Sequence, residues 1–189
     1  MEAKGNYITQ AWLVILLALC FGGGLAGLDA KLSGQIAANK LAETLGQVPA
    51  LVPGADKGDE QIVDGQIVYR AVRGGEPVGW VIPARGQGFA DKIELLLGVD
   101  PAVQTITGVY ILDQKETPGL GNKIIEDEWR GQFVGKSAGS RLVAITGGGA
   151  TGSRIDAVTG ATISSESVCN IVNATLAKMR PALTAAGGE

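Results

Sequence analysis

Hydrophobic and polar positions change rhythm several times along the chain. From Tyr7 to Leu28 the residues are largely apolar or small, and Trp12-Leu-Val-Ile-Leu-Leu-Ala-Leu-Cys-Phe21 carries no charge. A helix over this stretch, rising about 1.5 Å per residue, reaches across the roughly 30 Å hydrocarbon layer of a bilayer. Leu32, Ile36, Leu41 and Leu45 then recur near helical spacing over Ala30 to Leu45, and the breakers in Val48-Pro-Ala-Leu-Val-Pro53-Gly-Ala-Asp predict the end of that helix.

Beyond the breakers the period shortens. Gln66 to Val72 and Val78 to Ile82 are β-rich runs separated by Gly74-Gly75, which predicts a hairpin. Lys92 to Leu97 and Thr105 to Leu112 flank an Asp100-Pro101 turn with no room for a crossover helix, so these strands form an antiparallel meander. Ile124 to Phe133 predicts a short helix and Arg141 to Ile145 a last strand. Val168, Ile171, Val172, Leu176 and Met179 make one stripe of a final amphipathic helix over Ser164 to Met179. Ser164 or Ser165 is placed to cap that helix, Glu166 suits its first turn, and Pro181 predicts its end. The pattern predicts an α+β fold, an antiparallel sheet with flanking helices, preceded by one N-terminal transmembrane helix.

The organisation that follows is a cytoplasmic N-terminus at 1–6, a membrane helix at 7–28, a connecting helix and linker at 29–53, an extracytoplasmic domain at 54–183 and a flexible tail at 184–189. Lys4 lies before the apolar run while Asp29 and Lys31 follow it, a slight positive-inside bias toward a cytoplasmic start. Gly22-Gly-Gly-Leu-Ala-Gly27 offers small residues for signal cleavage, but the apolar stretch exceeds a signal core of about 7–15 residues, which favours a retained anchor. Leu19 before Cys20 does not suit lipidation.

Composition then removes most self-contained chemistry. The 189 residues include no histidine and two cysteines, with a formal charge of −3. Without imidazole, and with two distant cysteines, no metal site or metal-centred catalysis emerges, and no residue takes a catalytic role. The charge balance and the lack of a basic stripe argue against nucleic acid. Cys20 in an apolar run and Cys169 in a helical pattern read as buried small apolar side chains. Glu126-Asp127-Glu128 reads as solvated charge at a helix start rather than a ligand cluster. Redox chemistry here requires a borrowed cofactor.

One stretch presents chemistry of its own. Asp156-Ala-Val-Thr-Gly-Ala-Thr162 runs into the final helix and sets the Thr162 hydroxyl at its entrance, beside Gly160 and Ala161, which add no bulk. Unpaired N–H groups and the positive end of the helix dipole suit a phosphate there, so a phosphate ester on Thr162 fits. Gly147-Gly-Gly149-Ala-Thr-Gly152 formally meets a dinucleotide pattern, but Arg154-Ile-Asp-Ala-Val follows where a helix should open and no Walker lysine is present, so it reads as a flexible loop. Asn173-Ala-Thr175 matches a glycosylation sequon inside a helical pattern, which disfavours modification.

The Asp156 to Thr162 segment resembles the attachment signature of covalent flavin-binding domains in bacterial membrane electron-transfer complexes. Glu116-Thr-Pro-Gly-Leu-Gly121-Asn-Lys123 looks like a second signature of the same family, and Gly86-Gln-Gly88-Phe89 with the Gly98-Val-Asp100 turn resembles its preceding β region. The short length and the Thr-Gly-Ala-Thr form resemble the G subunits of Rnf-type ferredoxin:NAD oxidoreductase complexes more than the C subunits of sodium-pumping NADH:quinone reductases. The resemblance implies FMN joined through its phosphate to Thr162 by a separate flavin transferase that uses FAD and magnesium. It further implies an electron-carrying subunit of the cytoplasmic membrane, its FMN domain outside, beside membrane subunits bearing flavin or iron–sulfur centres. Implied contacts are Asp156, Thr159, Gly160, Ala161, Ile163 and Ser164 from the first signature, and Glu116, Thr117, Gly119, Leu120 and Lys123 from the second. Leu120 is placed to cover a ring face, Lys123 to offset flavin charge and Phe89 to cover the ring, although Ala90 stands where the longer relatives have tryptophan. Trp80 and Trp129 read as core residues. The alternative is a flavin-bearing redox-sensing or structural subunit of another membrane complex, such as the quinone reductase, and a cofactor-free structural subunit is a further one.

Overall fold

The computed structural model describes residues 7–186; the predicted cytoplasmic segment 1–6 and the last three residues lie outside them. Residues up to Ala42 and residues from Glu43 onward are two compact units, each described by itself.

A single helix, α1, runs over Tyr7–Leu51, where the sequence predicted a membrane helix and a separate connecting helix. In the first unit its apolar side chains are exposed, and the most apolar 18 residues of the stretch have a mean hydropathy of 2.2 with none of them buried. It is long and apolar enough to cross a membrane. Cys20 on this stretch is exposed, contrary to the expectation of burial. Pro49 does not end α1; the helix continues past it because Val48, Leu51 and the following Val52 are buried.

In the second unit five strands form one antiparallel sheet in chain order: β1 (Lys57–Val63), β2 (Gln66–Arg73), β3 (Glu76–Gln87), β4 (Lys92–Val99) and β5 (Ile106–Asp113). The Gly74-Gly75 hairpin and the meander are as the sequence predicted, with Tyr69 paired to Val81, Trp80 to Val99 and Leu97 to Val109. β1, Lys-Gly-Asp-Glu-Gln-Ile-Val, escaped the sequence pattern because it is a polar edge strand with no apolar alternation. A separate parallel pair joins β6 (Val143–Ile145) to β7 (Arg154–Asp156) around the glycine loop.

The two sheet faces are covered differently. On one, Val48, Leu51, Val52 and Ala55 pack with Tyr69, Ala71, Val81 and Leu96. Leu51 lies close because glycines line the sheet beneath it: a Cβ on Gly98 would fall 2.6 Å from its carbonyl oxygen, and one on Gly108 would fall 3.0 Å from its side chain. On the other face α3 (Thr162–Ala186) buries Val168, Ile171, Val172, Leu176, Met179 and Leu183 with Trp80, Ile82, Ile93, Leu95 and Leu97.

α3 differs from expectation at both ends. Ser164 and Ser165 are buried inside the helix rather than capping it. Pro181 is also internal, and the helix continues to Ala186, so residues 184–186 of the predicted tail are helical. The missing proline N–H costs a helix roughly 3 kcal/mol. Full burial of Leu183 in the last turn, worth about 1.5–3 kcal/mol, offsets much of it. The helix predicted over Ile124 to Phe133 is instead a 3-10 turn (Gly121–Ile125) and a short helix α2 (Asp127–Gly131). Trp129 and Trp80 are core residues as predicted, Trp129 meeting Phe133 edge-on at 5.3 Å.

Candidate functional site

Thr162 is the first residue of α3, and the loop before it is folded back on the helix by Ser165. The Ser165 hydroxyl donates to the Ala161 carbonyl (3.0 Å) and accepts the Val158 N–H (3.0 Å), while the Ala161 N–H closes on the Val158 carbonyl (2.9 Å). Gly160 supplies the left-handed turn this requires, at φ +79°. Among the described residues, nothing accepts from the N–H groups of Thr162, Ile163 and Ser164, and nothing bonds the Thr162 hydroxyl. These are the donors that a helix start leaves unpaired, and they face an acceptor-rich group best.

Glu116, 4% exposed, joins the wall opposite to this turn. One carboxylate oxygen accepts the Phe89 N–H (2.9 Å) and the Ala90 N–H (3.1 Å), and the other accepts the Ser164 hydroxyl at 2.5 Å. Close beside it, an exposed ion pair between Lys115 and Asp91 (3.2 Å) ties the same two loops. The Lys92 backbone N–H, together with Lys115, holds the Asp91 carboxyl below its ordinary value.

Between these walls lies a cleft of about 350 Å³ lined by Phe89, Thr117, Leu120, Gly121 and the run from Gly160 to Ser164. Every lining side chain is neutral. An anion seated here is met by helix N–H groups and the dipole rather than by a cation. Phe89, Leu120 and Ile163 are exposed apolar side chains around the opening, and Leu120 lies over Gly160, where a Cβ would come within 3.1 Å of it.

The cleft thus gathers Thr117, Leu120, Gly160, Ala161, Thr162, Ile163 and Ser164 from the predicted set. Glu116 stands behind it, and Gly119 lines neither this cleft nor its neighbour, its N–H bonded to the Asn122 side chain at 2.7 Å. Asp156, Thr159 and Lys123 line a second cleft of about 500 Å³ with Trp129, Gln132 and Lys136. Asp156 is committed there to the fold. Its carboxylate accepts the Ala150 N–H, and its backbone is held by the side chains of Trp129 and Gln132. The sequence did not single out Gly121 as a lining residue, nor Gly88, where a Cβ would lie 2.4 Å from Glu116 Oε1. Gly121 stood in the Glu116 to Lys123 motif and Gly88 in the Gly86-Gln-Gly88-Phe89 segment, but neither carries a side chain that signals a role.

Other candidates resolve structurally. Asn173 of the sequon bonds both the N–H and the carbonyl of Leu142, each at 2.8 Å. The glycine loop leads into β7, not into a helix. Cys169 is buried, and burial pushes its thiol up to about 12, as suits a core side chain.

Residues 88–177 match the FMN-binding domain family. Over 60 residues the chain is 50% identical to the G subunit of the ion-translocating oxidoreductase complex of Pseudoalteromonas atlantica, covering 31% of this chain and 27% of that protein. It is 39% identical over 75 residues to the G subunit of the proton-translocating ferredoxin:NAD(+) oxidoreductase complex of Clostridium ljungdahlii, covering 40% of each. The chain therefore spans well under half the length of these curated relatives. The crystal structure of Shewanella oneidensis NqrC superposes with a TM-score of 0.56 at 25% identity, over 64% of this chain and 61% of that one.

Proposed function

From a chain that carries a domain of the FMN-binding family over residues 88–177, we propose a membrane-anchored electron-transfer subunit of an Rnf-type ferredoxin:NAD oxidoreductase complex, with FMN held covalently on Thr162. The observation that carries the reading is the Thr162 hydroxyl in a neutral cleft, unengaged among the described residues, beside three N–H groups that find no acceptor among them. A phosphodiester keeps one negative charge, which those donors and the dipole of α3 suit.

Attachment forms the bond between Thr162 Oγ1 and the FMN phosphorus and breaks the pyrophosphate link of FAD. AMP leaves, and the threonine proton passes to the flavin transferase or to solvent. Gly160 and Ala161 keep the approach to the hydroxyl open. When bound, FMN supplies reversible one- and two-electron chemistry. Phe89, Leu120 and Ile163 offer apolar surface to the ring and exclude water from it, and tethering removes diffusion of the cofactor from the transfer.

The long apolar stretch of α1 anchors the protein in the cytoplasmic membrane, with the domain outside and other members of the complex, bearing flavin or iron–sulfur centres, as its neighbours. Assignment as the G subunit is favoured by the 50% identity to a protein so named and by the Thr-Gly-Ala-Thr form of the signature.

Two experiments test these statements. The wild-type chain made with flavin transferase fluoresces after denaturing electrophoresis and Thr162→Val does not; fluorescence retained in the variant rules out the attachment. Protease added to spheroplasts digests the domain, whereas complete protection places it on the cytoplasmic side.

A further inference from the structure

We infer that Glu116 is a positioning residue for flavin attachment, fixing the Thr162 turn against the opposite wall of the cleft without touching the cofactor. The inference rests on the Thr162 reading above. Glu116 does not line the cleft, yet its two oxygens reach both of the cleft's walls. Oε1 gathers the Phe89 and Ala90 N–H groups, and Oε2 takes the Ser164 hydroxyl, two residues beyond Thr162. All three partners donate, the acceptor-only pattern of a carboxylate, and all three are neutral.

The carboxylate is fitted from two sides by glycines. A Cβ on Gly88 would meet Oε1 at 2.4 Å, and one on Gly121 would meet Oε2 at 2.9 Å and Ser164 Oγ at 2.6 Å. Ser165 holds the loop to its own helix, but it reaches nothing on the far wall. The Glu116 to Ser164 bond therefore sets how far Thr162 stands from Phe89 and Leu120. A charge-assisted hydrogen bond of 2.5 Å defines that distance tightly.

Glutamine at this position keeps both links, its carbonyl accepting from Phe89 and Ala90 and its amide donating to the serine oxygen. Alanine at 164 breaks one link and leaves the other. Alanine at Gly88, which does not line the cleft, would bring a Cβ to 2.4 Å from Glu116 Oε1 and 2.6 Å from the Asp91 carbonyl oxygen, so it displaces the carboxylate together with the start of the Phe89 loop.

The test measures the rate at which the purified full chain in detergent takes up FMN from FAD with flavin transferase and magnesium, alongside the melting curve of each variant. Ser164→Ala and Gly88→Ala are expected to load about tenfold or more slowly, the loss of one buried charge-assisted bond, while still melting cooperatively. Glu116→Gln is expected to load within about threefold of wild type, because its geometry is retained. Should Gly88→Ala not melt cooperatively, Gly121→Ala takes its place, since from within the cleft lining its Cβ would meet Ser164 Oγ at 2.6 Å and Glu116 Oε2 at 2.9 Å and so part that bond. Wild-type rates in both Ser164→Ala and the glycine variant overturn the role of Glu116 and leave Thr162 untouched. Failure of the wild-type chain to load at all overturns the Thr162 reading itself.

Discussion

On one face of the sheet Leu51 sits against Gly98 and Gly108, where any side chain would collide; on the other, α3 lays a stripe from Val168 to Leu183 into the core and leaves its first residue, Thr162, out of it. Both faces are closed by apolar side chains, the first against glycines that let Leu51 approach the sheet, the second by the longer buried stripe of α3. The consequence is a difference in freedom. Each face has a cleft, about 450 Å³ beside Leu51 with Thr107, Tyr110 and Arg130 in its lining and about 350 Å³ at the start of α3, but the second gathers the Thr162 hydroxyl and three N–H groups that find no acceptor among the described residues. Packing along the length of α3 is what allows its first turn to stay uncapped, since the buried stripe, not the cap, holds the helix.

If that contrast holds, truncation on the α3 face is the more costly. Leu176→Ala leaves a cavity in the main core and is expected to destabilise by about 2–5 kcal/mol in denaturant unfolding. Gly98→Ala adds a Cβ 2.6 Å from the Leu51 carbonyl, and overpacking of that kind is expected to cost about 1–3 kcal/mol. A Gly98→Ala protein as stable as wild type would mean that α1 is not seated closely at all.

Fold elements were legible where local chemistry and burial agree. Gly74-Gly75 between β-branched runs marked the hairpin, and the spacing of Val168, Ile171, Val172, Leu176 and Met179 marked α3. They were illegible where tertiary contacts override local preference. Ser165 looked like a cap but bonds Val158 and Ala161 from inside the helix, and Pro181 looked like a stop but is carried along by Leu183. β1 has no apolar rhythm because its pairing with β2 is a backbone matter. At the site, the run from Gly160 to Ser164 and the pair Thr117 and Leu120 converge as the two motifs suggested. Spacing alone could not reveal that Asp156 and Lys123 face a second cleft, or that Glu116 stands behind the first.

The smallest effect concerns pH. Burial raises Cys169 to about 12, so between its ordinary value near 9 and that figure the folded chain keeps a proton that the unfolded chain gives up. Stability is therefore unaffected by this group below pH 9 and falls as pH rises beyond it. Melting temperatures measured from about pH 8 to 11 are expected to decline less steeply in Cys169→Ala than in wild type, and parallel curves would show that the thiol is not shielded in the core.

The central claim is that α3 opens on a threonine that carries the flavin. Its most direct measurement is the intact mass of the natively expressed chain, followed by peptide mapping. One FMN adduct, localised to the peptide containing Thr162 and missing from Thr162→Val, is the predicted result; an unmodified chain from a host with an active flavin transferase, or an adduct on another residue, contradicts it.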